Sequence, residues 1–444
     1  MGDAVRHLRD RFAAPVDVAS LAAFRILFGL LMAAAVARSL AKGWVQAFFV
    51  EPAVHFTYPG LSFVRPWPGP WMHAHYAGLF VLSLGIAAGC CYRLCALGFF
   101  LGFTYVELID QSLYLNHYYL VSLLAALLCV LPAGRAFSVD AWRRPERAVA
   151  TVPAWVLGVL RFQVALVYVF AGVAKLNHDW LVEGQPLRIW LAACGAWPVV
   201  GPWLATREVA VGASWFGAAF DLGIVWLLRA RRTRALAVVL VGAFHAATGL
   251  LFPIGMFPWL MCAAATLLLP PEWPRRALEW IASRLASVSP SSCRQGAAWR
   301  PASWLAGVLL AHSLLQVAWP LRQHLTRADS AWTLDGFNFA WNVMVAEKAG
   351  SVSFRAVDRR SRESVRVAPE VLLADFQVRA MAQDPALVRD GALLIAERFR
   401  RRGREVAVYA DAVATLNGRP AQRLVDPTVD LTRPLPNRWI VPLE

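Results

Sequence analysis

A polytopic bundle of about nine membrane helices, carrying a small C-terminal α+β domain outside the membrane, is the architecture that this sequence predicts. Three observations predict it. Of the 444 residues, 58% are hydrophobic and only 16% charged; the apolar residues gather into runs long enough to cross a bilayer; and the composition changes after Pro320. A typical soluble domain carries about 25% charged residues, so an ordinary soluble enzyme is excluded. The 20 Trp and 24 Phe fit aromatic belts at the membrane surfaces. The net charge of +15 does not signal nucleic acid, because the basic residues lie between apolar runs and not on one soluble face.

The opening "MGDAVRHLRDRFAAPVDVAS" lacks the apolar core and cleavage site of a signal peptide, so the first apolar run reads as a retained span. Spans are expected near 18–38, 72–92, 94–111, 117–133, 154–175, 208–228, 235–251, 254–270 and 302–320. With the N-terminus inside, the inner segments hold 17 Lys and Arg and the short outer loops hold 6. That asymmetry orients the chain with its N-terminus in the cytoplasm and, after an odd number of spans, its C-terminal domain outside. The expected partition is a membrane domain over 1–272, an inner loop and last span over 273–320, and an extracytoplasmic domain over 321–444. The 7 cysteines show no CxxC spacing, so neither a metal site nor a disulfide framework is signalled.

Residues 321–444 hold 19 basic and 15 acidic side chains, as a soluble domain would. Partial alternation predicts strands in "FNFAWNVMV", "GSVSFRAV", "ESVRVAP" and "REVAVYADAVATL", the last followed by a turn at Asn417–Gly418. Helical periodicity predicts helices in "PEVLLADFQVRAMAQ" and in "PALVRDGALLIAERFRRRG", the second stopped by Gly403.

Three polar stretches interrupt the spans, and the topology puts all of them near the outer surface. "ELIDQSLYLNHYYL" contributes Asp110, Asn116, His117 and Tyr118; "AGVAKLNHDW" contributes Lys175 and His178; "GAFHAATGLLFPIGMFPW" contributes His245. Taken singly, each has an ordinary reading. Lys175 can snorkel to the headgroups, and His117 and His245 can be satisfied interfacial or core histidines. Arg25, Arg161, Glu107, Asp110 and Asp221, in or near spans, read as charge pairs inside the bundle; Arg25, Arg161 and Asp221 also admit a charged transport pathway. Together the outer polar groups suit proton abstraction from an apolar reactant. Desolvation disfavours an ammonium and yields a usable amine base, while Asn116 and His117 can donate to charge developing on oxygen.

"DQSLYLNHYYL", "AGVAKLNHDW", "FHAATGLLFPIGMF" and the outer loop "HFTYPGLSFVRPWPGPW" resemble the vitamin K-dependent gamma-carboxylases and the bacterial relatives that share their horizontally transferred transmembrane domain; "WNVMV" and "LNGRP" extend the resemblance into the tail. The resemblance implies reduced vitamin K or menaquinone as the reacting hydroquinone, with O2 and CO2 as co-substrates and a glutamate-containing peptide or protein as acceptor. It implies Lys175 as the initiating base, assisted by Asn116 and His117. His245, with Asp110 and Tyr118, would position substrate. Animal members carry two adjacent lysines where this chain has Ala174–Lys175, and they are far longer. The Ala- and Arg-rich composition matches many bacterial proteins, which places the chain in a bacterial cytoplasmic membrane with menaquinone as the available naphthoquinone. The competing expectation is a non-catalytic membrane binding or toxin-immunity protein, with Lys175 as an anchor.

Overall fold

Helices form where hydropathy marks them, because inside a bilayer each backbone N–H and C=O must be satisfied within its own segment. The computed structural model describes residues 2–285, 297–299, 302–325 and 329–444. Its membrane domain comprises α1 (Ala19–Ala41), α2 (Pro70–Ala88), α3 (Tyr92–Ile109), α4 (Asn116–Val130), α5 (Ala154–Ala174), α6 (Arg207–Arg229), α7 (Arg234–Leu251), α8 (Phe257–Ala265) and α9 (Ser303–Leu321). Seven are long and apolar enough to cross a membrane; α4 and α8 are shorter. The nine correspond in position to the nine expected segments.

In the bundle α1 packs on α2, α2 on α3, and α3 on α4; α5 packs on α6, α6 on α7, and α7 on α8, which returns to α1. Two glycines set the closest approaches. A Cβ on Gly29 would lie 2.5 Å from the Ala87 backbone nitrogen, so only glycine lets α1 meet α2 there. A Cβ on Gly172 would lie 2.8 Å from the Leu222 side chain and 3.1 Å from its nitrogen, so Gly172 brings α5 against α6 one turn before Lys175.

Two arginines of the bundle correct the expectation of charge pairing. Arg25, 0% exposed, donates to the carbonyls of Ala87, Ala133, Ala136 and Phe137. Arg161 donates to those of Leu267 and Leu269 at 2.6 and 2.9 Å. Both satisfy carbonyls at helix ends, where a cation is favoured, and with separate partners they form no transport pathway with Asp221. Glu107 has no ion pair among the described residues.

The C-terminal domain is a four-stranded antiparallel sheet of β1 (Lys348–Asp358), β2 (Ser364–Val367), β3 (Val406–Leu416) and β4 (Gln422–Arg423), in the order β2-β1-β3-β4. Two helices, α10 (Asp375–Met381) and α11 (Pro385–Arg400), pack on it. Its core gathers Phe354, Val408, Met381, Val388 and Ile395, joined by Phe56 from the first outer loop. Asn417 (φ 51°) and Gly418 (φ 78°) make the expected turn after β3. The expected helix over "PEVLLADFQVRAMAQ" instead divides into a single 3-10 turn at Pro369–Val371 and α10.

"FNFAWNVMV" is not a strand. Residues 335–341 run as consecutive turns and 342–345 continue without regular structure, with Phe339 (φ 61°), Trp341 (φ 60°) and Met344 (φ 57°) in the left-handed region. Their aromatic alternation serves another purpose: Phe339 packs on Tyr114 at 4.4 Å and Trp341 stacks on Tyr119 at 5.1 Å. The segment is a strap laid on the membrane domain, with its carbonyls turned to that domain's polar groups. Left-handed backbone at non-glycine residues is held only where the surroundings over-determine it.

Candidate functional site

Lys175 caps α5, buried at 4% exposure, and its environment accounts for all three ammonium donors. Nζ donates to the Ala171 carbonyl (3.2 Å), to the Val343 carbonyl of the strap (3.1 Å), and to Asp221 Oδ2 of α6 (2.9 Å). The Trp180 ring lies 5.1 Å away, its indole N–H donating to the Ser214 carbonyl. Asp221 is itself only 6% exposed. Lys175 is therefore no headgroup anchor, since a snorkelling lysine keeps its ammonium in water.

This pair lies on the wall of an apolar cavity of about 350 Å³, which is also lined by Phe244, Phe252, Phe257, Tyr168 and His245. Tyr168 stands two turns before Lys175 on the same face of α5, and its hydroxyl lies 2.9 Å from His245 Nε2. His245, 2% exposed, has no hydrogen-bond partner for Nδ1 among the described residues. An orphaned buried ring nitrogen beside an otherwise apolar space is what a ligand with a polar edge would satisfy.

Asn116, His117 and Tyr118 line a second, more polar cavity of about 580 Å³ together with Arg38 and Glu107. Asn116 donates to the Asn342 carbonyl of the strap at 3.2 Å and accepts from the Tyr114 hydroxyl at 2.9 Å. The His117 ring packs on Phe257 at 5.8 Å and makes no hydrogen bond among the described residues. Ile254, Phe257, Val343 and Met344 line both cavities, so one wall of strap and α8 separates them. The predicted residues thus divide between the two: Lys175 and His245 on one side, Asn116, His117 and Tyr118 on the other.

Asp110 lines neither. It is the knot between the outer loops and the C-terminal domain: Oδ1 accepts from the Ser112 hydroxyl (2.7 Å), and Oδ2 from Gln377 (2.8 Å), with His55 Nδ1 at 3.3 Å. Its place argues for a positioning role.

A second tie fixes the domain close to Lys175. Arg419, after the β3 turn, donates to both carboxylate oxygens of Asp179 at 2.6 and 2.7 Å, and Asn417 adds a bond of 2.8 Å. Burial works to raise the Asp179 pKa, but the bonds from Arg419 and Asn417 outweigh it and hold the group below its ordinary value. The unfolded chain therefore binds more protons in acid than the native one. The clamp's contribution is present above the ordinary carboxylate pKa and is lost as pH falls through that value toward the folded one. Wild type should lose thermal stability in detergent between about pH 5 and pH 3 more steeply than Asp179→Asn; parallel curves would show that the clamp adds nothing.

Sequence reasoning read Asp221 as a charge-paired group, as found, without naming Lys175 as its partner, and overlooked Tyr168 and the strap. Tyr168 was recoverable from its i, i+7 spacing to Lys175. The strap carbonyls carry no sequence signal.

Residues 13–273 match the family model described as HTTM domain, and residues 301–444 match that described as vitamin K-dependent gamma-carboxylase, lumenal domain. No solved structure matches the chain.

Proposed function

The chain belongs to the vitamin K-dependent gamma-carboxylase family, and on that premise we propose that it is a membrane enzyme coupling oxygen-dependent epoxidation of a reduced naphthoquinone to proton abstraction from a glutamyl acceptor. Menaquinone is the naphthoquinone of choice, and carboxylation by CO2 is the coupled reaction. The family match supports a vitamin K-dependent, carboxylase-like membrane protein with its lumenal-type domain away from the cytoplasm; the rest is our reading.

The observation that carries it is the buried Lys175–Asp221 pair on the wall of the apolar cavity. The residues fit a flat aromatic ring with oxygens at its edge: Phe244, Phe252 and Phe257 offer faces, and the Lys175–Asp221 and Tyr168–His245 pairs offer polar ends. When bound, the hydroquinone supplies the reaction with oxygen that generates the strong base for glutamate. Lys175 and Asp221 supply the initiating proton transfer. Their pair carries no net charge whether its shared proton rests on Nζ or on Oδ2, so the proton can pass between them without placing net charge against the apolar wall. At 2.9 Å Asp221 Oδ2 is placed to take the lysine's proton and leave Nζ as an amine. One further proton, taken from a ring hydroxyl, turns the pair into an ammonium beside a carboxylic acid, with the positive charge next to the oxygen that lost the proton. His245 Nδ1 and Tyr168 orient the ring, and the Val343–Met344 wall excludes water. His117 and Asn116, across that wall, face the acceptor's side of the chemistry.

The test is direct. Purified wild type supplied with reduced menaquinone and oxygen should form the epoxide, quantified by mass spectrometry, and Lys175→Ala should form none. Absence of epoxide from folded, membrane-inserted wild type would overturn the proposal in favour of a non-catalytic binding protein.

A further inference from the structure

The second cavity holds a cation without a counterpart. Arg38, in the last turn of α1, lines it with Tyr76, Glu107, Asn116, His117 and Tyr118. Among the described residues its guanidinium makes no ion pair and no hydrogen bond, and its Nε is buried without an acceptor. The contacts it does make are weak. The guanidinium carbon lies 5.1 Å from the Trp44 ring centroid, and a Cβ built on Gly255 would lie 3.5 Å from Nη2.

Arg25 and Arg161 in the same bundle show what an arginine does here when its role is structural: each occupies two or more backbone carbonyls. Arg38 occupies none. Snorkelling leaves the polar atoms in water or among headgroups, which a buried Nε does not satisfy. An arginine fork with unfilled donors, set in a cavity wall, matches the two oxygens of a carboxylate.

We propose that Arg38 anchors the carboxylate of the ligand that occupies the second cavity, and that this ligand is the side chain of a peptide-borne glutamate. This rests on the function proposed above. Two features of the cavity favour that class over other anions. One arginine suffices for a monoanion and is too few for a dianion such as phosphate. Glu107 and the Asn116 amide can also bond the N–H and C=O groups that flank a glutamate in a peptide, as a bare inorganic anion could not. The carboxylate would then sit in the cavity that holds His117, across the Val343–Met344 wall from Lys175.

The experiment is equilibrium dialysis of the full chain in detergent, without hydroquinone. The probes are radiolabelled N-acetyl-glutamate α-methylamide and its glutamine counterpart, with inorganic phosphate as competitor. Wild type should bind the glutamate probe at least tenfold more tightly than the glutamine probe, and phosphate should displace it poorly. Arg38→Gln should abolish that preference. Arg38→Lys, which keeps the charge and loses the fork, should weaken glutamate binding at least threefold and serves as the deciding variant if Arg38→Gln does not fold. Equal preference in wild type and the variants, no preference in wild type, or phosphate competing as well as glutamate would each overturn the assignment. The two proposals fail separately. Arg38-dependent binding by a wild type that makes no epoxide removes the quinone reading alone; epoxide formation without Arg38-dependent binding removes this one.

Discussion

Asp221→Asn should lose epoxide formation by about 10²–10⁴-fold, the range expected for a displaced acid–base group, although the substituted side chain never touches Lys175's own bonds to Ala171 and Val343. The reason is the pair. Asparagine can still accept from Nζ but cannot take up or give back a proton, so the pair loses the group that would hold the lysine's proton while Nζ takes one from substrate. The same change leaves a buried charge uncompensated, and breaking such a pair costs about 3–5 kcal/mol of stability. Lys175→Met combined with Asp221→Leu separates the two effects. Replacing both charges by apolar groups of similar volume should restore thermal stability to within about 1 kcal/mol of wild type while leaving turnover absent. Full turnover in Asp221→Asn would refute the paired-base mechanism, and an equally inactive but unaltered stability in the single variant would show that the pair contributes nothing to the fold.

Arg25→Met should be the most damaging substitution remote from the cavities. Its guanidinium serves four carbonyls, from the end of α2 and from residues 133–137, with the shortest bond, to Phe137, at 2.6 Å. Methionine fills the volume but strands those acceptors in an apolar interior, which predicts a loss of about 3–5 kcal/mol by summation of several unsatisfied groups. Gly89 shows how closely the cage is drawn: a Cβ there would lie 2.3 Å from Arg25 Nη1. Arg25→Lys should recover only part of the loss, because an ammonium cannot span the fork's acceptors. Arg25 lines neither cavity. The Arg25→Met molecules that remain folded should therefore keep their hydroquinone KM. Unfolding at the wild-type temperature would disprove the cage, and a changed KM in folded protein would tie Arg25 to the site.

Much of this molecule was legible before any coordinates. Hydropathy placed a helix at each of the nine expected segments, of which seven among the described residues are long and apolar enough to cross a membrane, because lipid forces each segment to satisfy its own backbone, a local requirement that leaves a local signal. Polar residues in or at the ends of apolar segments marked Asn116, His117, Lys175 and His245, since ionisable groups in such places are costly without a purpose. The turn at Asn417–Gly418 was readable because a left-handed pair favours those two residue types.

The sequence by itself thus determined the positions of the apolar helices, the domain at the C-terminus and a set of polar residues at helix ends. Only the tertiary structure divided that set between two cavities, gave Lys175 its partner in Asp221, withdrew Asp110 to a knot between domains, and left Arg38 without an ion pair among the described residues, lining the same cavity as His117. It also turned an alternating segment, 337–345, from an expected strand into the strap whose carbonyls meet Lys175 and Asn116. The physical reason is the range of the forces. Transfer to lipid acts residue by residue and is written along the chain. Ion pairing and hydrogen bonding depend on distances of about 3 Å between atoms far apart in sequence, which only the packing of α5, α6 and the strap can set.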